Sequence, residues 1–235
     1  MARRQYDQAC SVAAALDRVG ERWSMLIVRE LSLGPLRFSD LARGVGGAPT
    51  DILTRRLRDL EGDGIVRRTE LGPPAAGAAY ELTDLGHGLD GAMLELGRWG
   101  LHFYDIGSVA DISPIWLANA LRVVLQPPRE AAPAVQLHSG GVSSWVRISN
   151  GASTAGRGTI DGPDLTVTGS PPAIVAAFVV GTPAVPELEI EGDEALLDEL
   201  RGMVVIPDRL REEAQMLVES GGLLVAAAEA AAQAS

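Results

Sequence analysis

The chain has 235 residues, 46% of them hydrophobic and 22% charged, which describes a folded protein with length for two ordinary domains. All 20 basic residues are arginine. Without lysine there is neither the Gly-Lys pair of a phosphate loop nor a Schiff-base amine, so two enzyme classes drop out.

The single cysteine, Cys10, excludes an internal disulfide framework and a cysteine zinc site, and it fits a reducing cytoplasm. The opening Met-Ala-Arg-Arg-Gln-Tyr-Asp-Gln lacks the apolar core of a signal peptide, and the longest apolar run, residues 173–180, is too short to span a bilayer. A cytoplasmic protein without a membrane partner is expected. Residues 1–105 hold 13 Arg against 15 acids, whereas residues 106–235 hold 7 Arg against 16. Only the first half suits nucleic acid, and its near-neutral sum makes binding depend on local Arg placement and on doubling in a dimer.

Apolar spacing predicts a helix over residues 11–19 and, after Gly20, a second through Trp23, Leu26, Ile27 and Leu31. Gly34-Pro35 stops it, and a short helix restarts with Arg37 or Ser39 near its N-terminus, where exposed N–H groups can hold a phosphate. The turn over residues 44–49 leads into a helix at residues 50–58, with Thr50 expected to cap it and Gly62 and Gly64 to end it. At about 100° per residue, Leu53, Leu57 and Leu60 share one stripe, with Asp51, Arg55 and Arg58 opposite and Thr54 beside them. Such a helix can bury its leucines and present guanidinium and hydroxyl groups to base edges. A plain solvated amphipathic helix has the same pattern, so its neighbours decide. Two helices in this order with this turn match a helix-turn-helix.

Residues 65–71 and 79–82 read as strands around a Gly-Pro-Pro turn, a wing with Arg67 and Arg68 at its base. Thr83 is then expected to cap one long helix in which Leu85, Leu89, Ala92, Leu96, Trp99 and Phe103 form a seam suited to a partner helix.

Cys10-Ser11-Val12, Gly20-Glu21-Arg22-Trp23-Ser24, Arg37-Phe38-Ser39-Asp40-Leu41, Leu53-Thr54-Arg55-Arg56-Leu57-Arg58 and Tyr80-Glu81-Leu82-Thr83 resemble the HxlR family of bacterial winged-helix regulators over about residues 8–103. The resemblance implies a homodimer on a pseudo-palindromic double-stranded DNA operator, paired through its first and last helices, including Leu85, Leu89, Leu96, Trp99 and Phe103. It implies that the segment with Thr50, Asp51, Thr54, Arg55 and Arg58 lies in the major groove, beside the phosphate contacts expected of Arg37 and Ser39. The wing departs from the family's Arg-Val-Glu-Tyr with an alanine-rich turn, which moves its expected phosphate contacts to Arg67 and Arg68. Cys10 stands where several members carry a redox- or electrophile-sensing thiol; a small buried apolar role is the alternative.

Beyond the long helix a further 130 or so residues follow. A helix is predicted over residues 115–125, then strands at 134–138, 144–149, 156–160 and 165–168 in an antiparallel sheet, a helix from Pro171-Pro172, a strand at 187–190 and a helix after Gly192-Asp193. An acidic helix after Leu210 passes into an alanine-rich end. The expected fold class is two α+β domains: a winged helix-turn-helix over residues 1–105 and an antiparallel sheet with helices over 106–235. The junctions at residues 164–174 and 188–193 are similar to the sterol carrier protein family, over about residues 112–205. That likeness implies an apolar tunnel, for which Trp116, Leu137, Trp145, Phe178, Val179 and Met216 are the candidate wall.

His87, His102 and His138 lack metal-ligand spacing and no catalytic set stands out, so neither metal, cofactor nor enzyme activity is expected. The sequence therefore reads as a dimeric transcription factor answering to an apolar small-molecule effector. A lipid carrier using its winged helix only to dimerise, and a Cys10 sensor, are the alternatives.

Overall fold

A computed structural model describes residues 5–72, 76–105, 113–180 and 188–220. The chain divides into two compact units, residues 1–93 and 94–235.

In the first unit, α1 (Ser11–Val19), α2 (Ser24–Leu31), α3 (Phe38–Val45) and α4 (Thr50–Gly62) precede a hairpin of β1 (Val66–Leu71) and β2 (Gly77–Leu82). Leu53, Leu57 and Leu60 of α4 are buried with Ile27, Val28 and Leu31 of α2 and Leu41 of α3 in one core. The turn between α3 and α4 carries Gly46 and Gly47 at φ +63° and +70°, a left-handed pair that side chains with a Cβ disfavour. Two hydrogen bonds between Leu36 and Tyr80, of 3.0 and 2.8 Å, tie the α2–α3 connection to the wing. Arg56 bonds Asp59 of its own helix at 2.9 Å and Glu21 at 3.1 Å, and Arg18 meets Asp63 at 3.1 Å, so α4 is tied to α1 and to the α1–α2 turn at two points.

Three expectations change here. Thr50 does not cap α4: Pro49 holds the capping position and Thr50 is already helical, its carbonyl accepting from the Thr54 hydroxyl at 2.7 Å. The expected single helix from Thr83 is broken. Thr83 caps α5 (Asp84–His87) through the Gly86 N–H at 3.2 Å, and α6 (Asp90–Gly100) starts afresh before a 3-10 turn at Leu101–Phe103. The break has a cause in Gly86, where a Cβ would stand 2.2 Å from the Ile65 carbonyl oxygen. The backbone is pressed there onto Ile65, just before β1, and the Leu89 N–H closes a tight turn on the Gly86 carbonyl at 3.0 Å. Leu89 consequently packs against the unit's own core and leaves the seam.

In the second unit, α7 (Leu117–Val124) follows a 3-10 turn at Pro114–Trp116. Then come β3 (Ala134–Ser139), β4 (Val142–Ser149), β5 (Ala152–Arg157), β6 (Leu165–Thr168), α8 (Pro171–Val179), β7 (Glu189–Gly192), α9 (Glu194–Gly202) and α10 (Asp208–Glu219). The five strands stand in the order β5-β4-β3-β6-β7. The sheet is not wholly antiparallel, because β6 runs parallel to β3. The buried Gln136 amide of β3 donates to the Ser144 carbonyl at 2.8 Å and accepts from the Ile160 N–H in the β5–β6 connection at 2.9 Å. The connection after β5 is thereby tied to β3, on whose other side β6 pairs. The third strand begins four residues earlier than predicted, since the two-residue Asn150–Gly151 turn pairs Ser149 with Ala152. The Asp193 carboxylate caps α9 at the Ala195 N–H, 2.9 Å. Arg201 and Arg211 donate to the Ala177 and Val179 carbonyls at 2.7 and 2.9 Å, satisfying the C-terminal end of α8. The last predicted helical stretch, residues 221–235, and residues 73–75 of the wing turn lie outside the described residues.

Candidate nucleic-acid interface

Because Leu53, Leu57 and Leu60 fix the buried side of α4, the opposite side is defined by geometry. Thr50, Asp51, Thr54, Arg55 and Arg58 are all exposed there. Arg55 and Arg58 have no hydrogen-bond or ion-pair partner among the described residues, so both guanidinium forks are unspent. The Thr54 hydroxyl donates its proton to the Thr50 carbonyl. It therefore offers a neighbour its acceptor lone pairs and its methyl group.

The remaining predicted DNA contacts are differently placed. Arg37 is half-buried and donates to the Ala76 carbonyl at 2.6 Å, bracing the wing turn. Ser39 is exposed in the first turn of α3. Arg67 pairs with Glu81 at 2.8 Å, while Arg68 stands 3.5 Å from Glu61 and over the Tyr80 ring at 5.8 Å. Both wing arginines are two-thirds exposed but already have acidic neighbours, so each would have to exchange one for a phosphate.

A feature not foreseen from the sequence lies beside this face. An open pocket of about 470 Å³ is lined by Glu21, Arg22, Trp23, Gly47, Pro49, Ile52, Arg55 and Arg56. Trp23 has φ +81°, a left-handed conformation that is an outlier for a bulky residue. Arg22 lies over its ring at 4.7 Å. No periodicity signals a backbone outlier, which is why the site was not legible.

Of the seam residues, Leu85, Leu96, Trp99 and Phe103 are exposed, at 65, 51, 61 and 72%, and Trp99 meets Phe103 edge to face at 4.8 Å. Val12 and Leu16 of α1 are also exposed. Cys10 is exposed at the N-cap position of α1, not buried, and makes no side-chain cap there.

The six candidate wall residues do not converge. Gln136, not Leu137, pairs with Trp145, and adjacent strand residues face opposite ways, so Leu137 and Trp145 lie on opposite faces of the sheet. Leu137 shares the buried face with Val146 and Val167, while Trp145 lies over Gly156 on the other. Phe178 and Val179 are buried in α8, and Trp116 is half-buried in its 3-10 turn. Met216 is 60% exposed, because the buried side of α10 is set by Leu210 and Ala214. Among the described residues no group of three or more His, Cys, Asp or Glu is placed to hold a metal, and no helix is long and apolar enough to cross a membrane.

The profile of the HxlR-like helix-turn-helix family matches residues 18–107. Rv3095 of Mycobacterium tuberculosis, named as an HTH-type transcriptional regulator, is 41% identical over 90 residues, which are 38% of this chain and 56% of that protein; the chain thus spans little more than half of it. YtcD of Bacillus subtilis, named likewise, is 34% identical over 90 residues, 38% of this chain and 71% of that protein. Among solved structures, the redox regulator HypR in its oxidized form is 31% identical, covering 41% of this chain and 99% of that one with a TM-score of 0.38. The matched residues take in α2, α3, α4 and the wing, and through them the chain belongs to the HxlR-like helix-turn-helix family.

Proposed function

We propose that the protein is a homodimeric transcriptional regulator that reads double-stranded DNA with α4. The observation that carries this reading is the exposed Arg55 and Arg58 pair on a helix whose leucines are locked in the core. Guanidinium forks free of acidic partners suit the O6 and N7 acceptors of guanine in a major groove, with Asp51, Thr50 and Thr54 beside them. Ser39, Arg37, Arg67 and Arg68 serve the flanking phosphates, which set position and not sequence. Exposed apolar side chains, Val12, Leu16 and Leu85 in the first unit and Leu96, Trp99 and Phe103 in the second, pair two copies on a pseudo-palindromic operator.

In this reading residues 1–105 bind DNA and dimerise, and residues 106–235 form a sterol-carrier-like module for an apolar effector. The effector acts by favouring one dimer geometry over another. An apolar ligand in this unit would have to replace packing around Phe178 and Val179 of α8, and it would not enter a wall of all six candidates. The exposure of Cys10 favours thiol sensing as a second input.

The test uses a duplex enriched by the full-length protein from a random-sequence pool. Arg55→Ala with Arg58→Ala weakens binding by about 30-fold or more, from about 1–3 kcal/mol per guanidinium, and leaves thermal stability and uptake of a fluorescent fatty acid unchanged. Unchanged DNA affinity in the double variant overturns reading by α4, whereas failure to enrich any duplex, with intact uptake, favours the carrier.

A further inference from the structure

The open pocket between the α1–α2 turn and α4 sets guanidinium groups beside an aromatic face, and the geometry points to a small aromatic carboxylate as its ligand. Three guanidinium groups reach it, and their states differ. Arg56 is spent on Asp59 and Glu21, yet its Nε is buried without a partner. Arg55 is unpaired, and Arg22 has only the Trp23 ring. Since Glu21 is engaged by Arg56, the remaining charge in the cavity is cationic. Trp23, Pro49 and Ile52 supply the apolar surface for a ring. Planar forks beside an aromatic face fit a flat anion with an apolar body better than an alkyl chain, and about 470 Å³ lies within the usual range for small-molecule sites. The left-handed backbone of Trp23 adds an independent mark, because strain of this kind collects at ligand clamps.

Arg55 gives the site its consequence. The same side chain lines the cavity and stands on the exposed face of α4, so a carboxylate that engages it withdraws it from DNA. Ligand and operator then compete for one guanidinium, and each weakens the other by the same factor. This step rests on the DNA-reading function proposed above, whereas occupancy of the cavity does not.

Calorimetric titration of the full-length protein with 1-naphthoate, and separately with inorganic phosphate, tests occupancy. One naphthoate per chain is expected, at least tenfold tighter than phosphate, with Arg22→Ala weakening it at least tenfold and Arg22→Lys restoring it only in part. A second titration with the enriched duplex present reads competition: naphthoate releases DNA from the wild type, and Arg22→Ala retains DNA affinity but resists release. The inference is overturned by absent naphthoate binding, by phosphate binding equally well, which would make the cavity a seat for backbone phosphates, or by an Arg22→Ala variant that binds naphthoate as the wild type does. If the protein binds no DNA but still takes naphthoate, the regulator reading fails and the site stands.

Discussion

Helices α4 and α8 use apolar residues to opposite ends. Of the 13 residues of α4, Leu53, Leu57 and Leu60 are buried, and the far side is left to polar groups, of which Arg55 and Arg58 have no partner among the described residues. Of the nine residues of α8, eight are buried, and even the carbonyls at its C-terminal end are taken up by Arg201 and Arg211. A helix anchored along one stripe can carry recognition chemistry because changing its outer face costs the fold little. A helix enclosed on all sides is structure, and anything that binds against it must first displace packing.

That contrast can be broken most severely at Phe178. Its replacement by alanine leaves a cavity around a fully buried ring and lowers stability by about 3–5 kcal/mol in chemical denaturation, without a specific effect on DNA affinity at temperatures where the variant is folded. A loss below about 1 kcal/mol would show that α8 sits in a yielding site. The polar support of the same unit is next. Gln136→Leu strands the Ile160 N–H and costs about 1–3 kcal/mol, measured the same way. On α4 the smallest effect is expected at Thr50→Ala, within about 0.5 kcal/mol of wild-type stability, since no side-chain cap is lost. A loss near 1 kcal/mol would restore the capping role that the sequence suggested.

The helix-turn-helix was legible because its determinants are local: leucine spacing, a glycine-rich turn and an alternating hairpin each occupy a few consecutive residues. Thr50 misled because a threonine after proline is a good cap by composition, and only the backbone at Pro49 decides which residue stands first. The long seam misled for a different reason. Its spacing is regular, but Gly86 answers to the Ile65 carbonyl, a contact 21 positions away that periodicity does not record. In the second unit the strands were recognisable while their pairing was not, since the parallel β3–β6 register joins residues some 30 positions apart that no local pattern links. The candidate ligand wall failed on the same ground: Leu137 and Trp145 are equally apolar in sequence, and register alone puts them on opposite faces. Arg55 and Arg58 were legible as exposed, and their lack of acidic partners, unlike Arg56, Arg67 and Arg68, emerged only in three dimensions.

The central claim is that α4 lies in a major groove. It is tested most directly by guanine N7 methylation protection on the enriched duplex, with wild-type protein and the Arg55→Ala, Arg58→Ala double variant at matched occupancy. Wild-type protein is expected to shield guanines in two half-sites about one helical turn apart, and the double variant to lose shielding at those guanines. Protection that persists unchanged in the double variant would contradict the account.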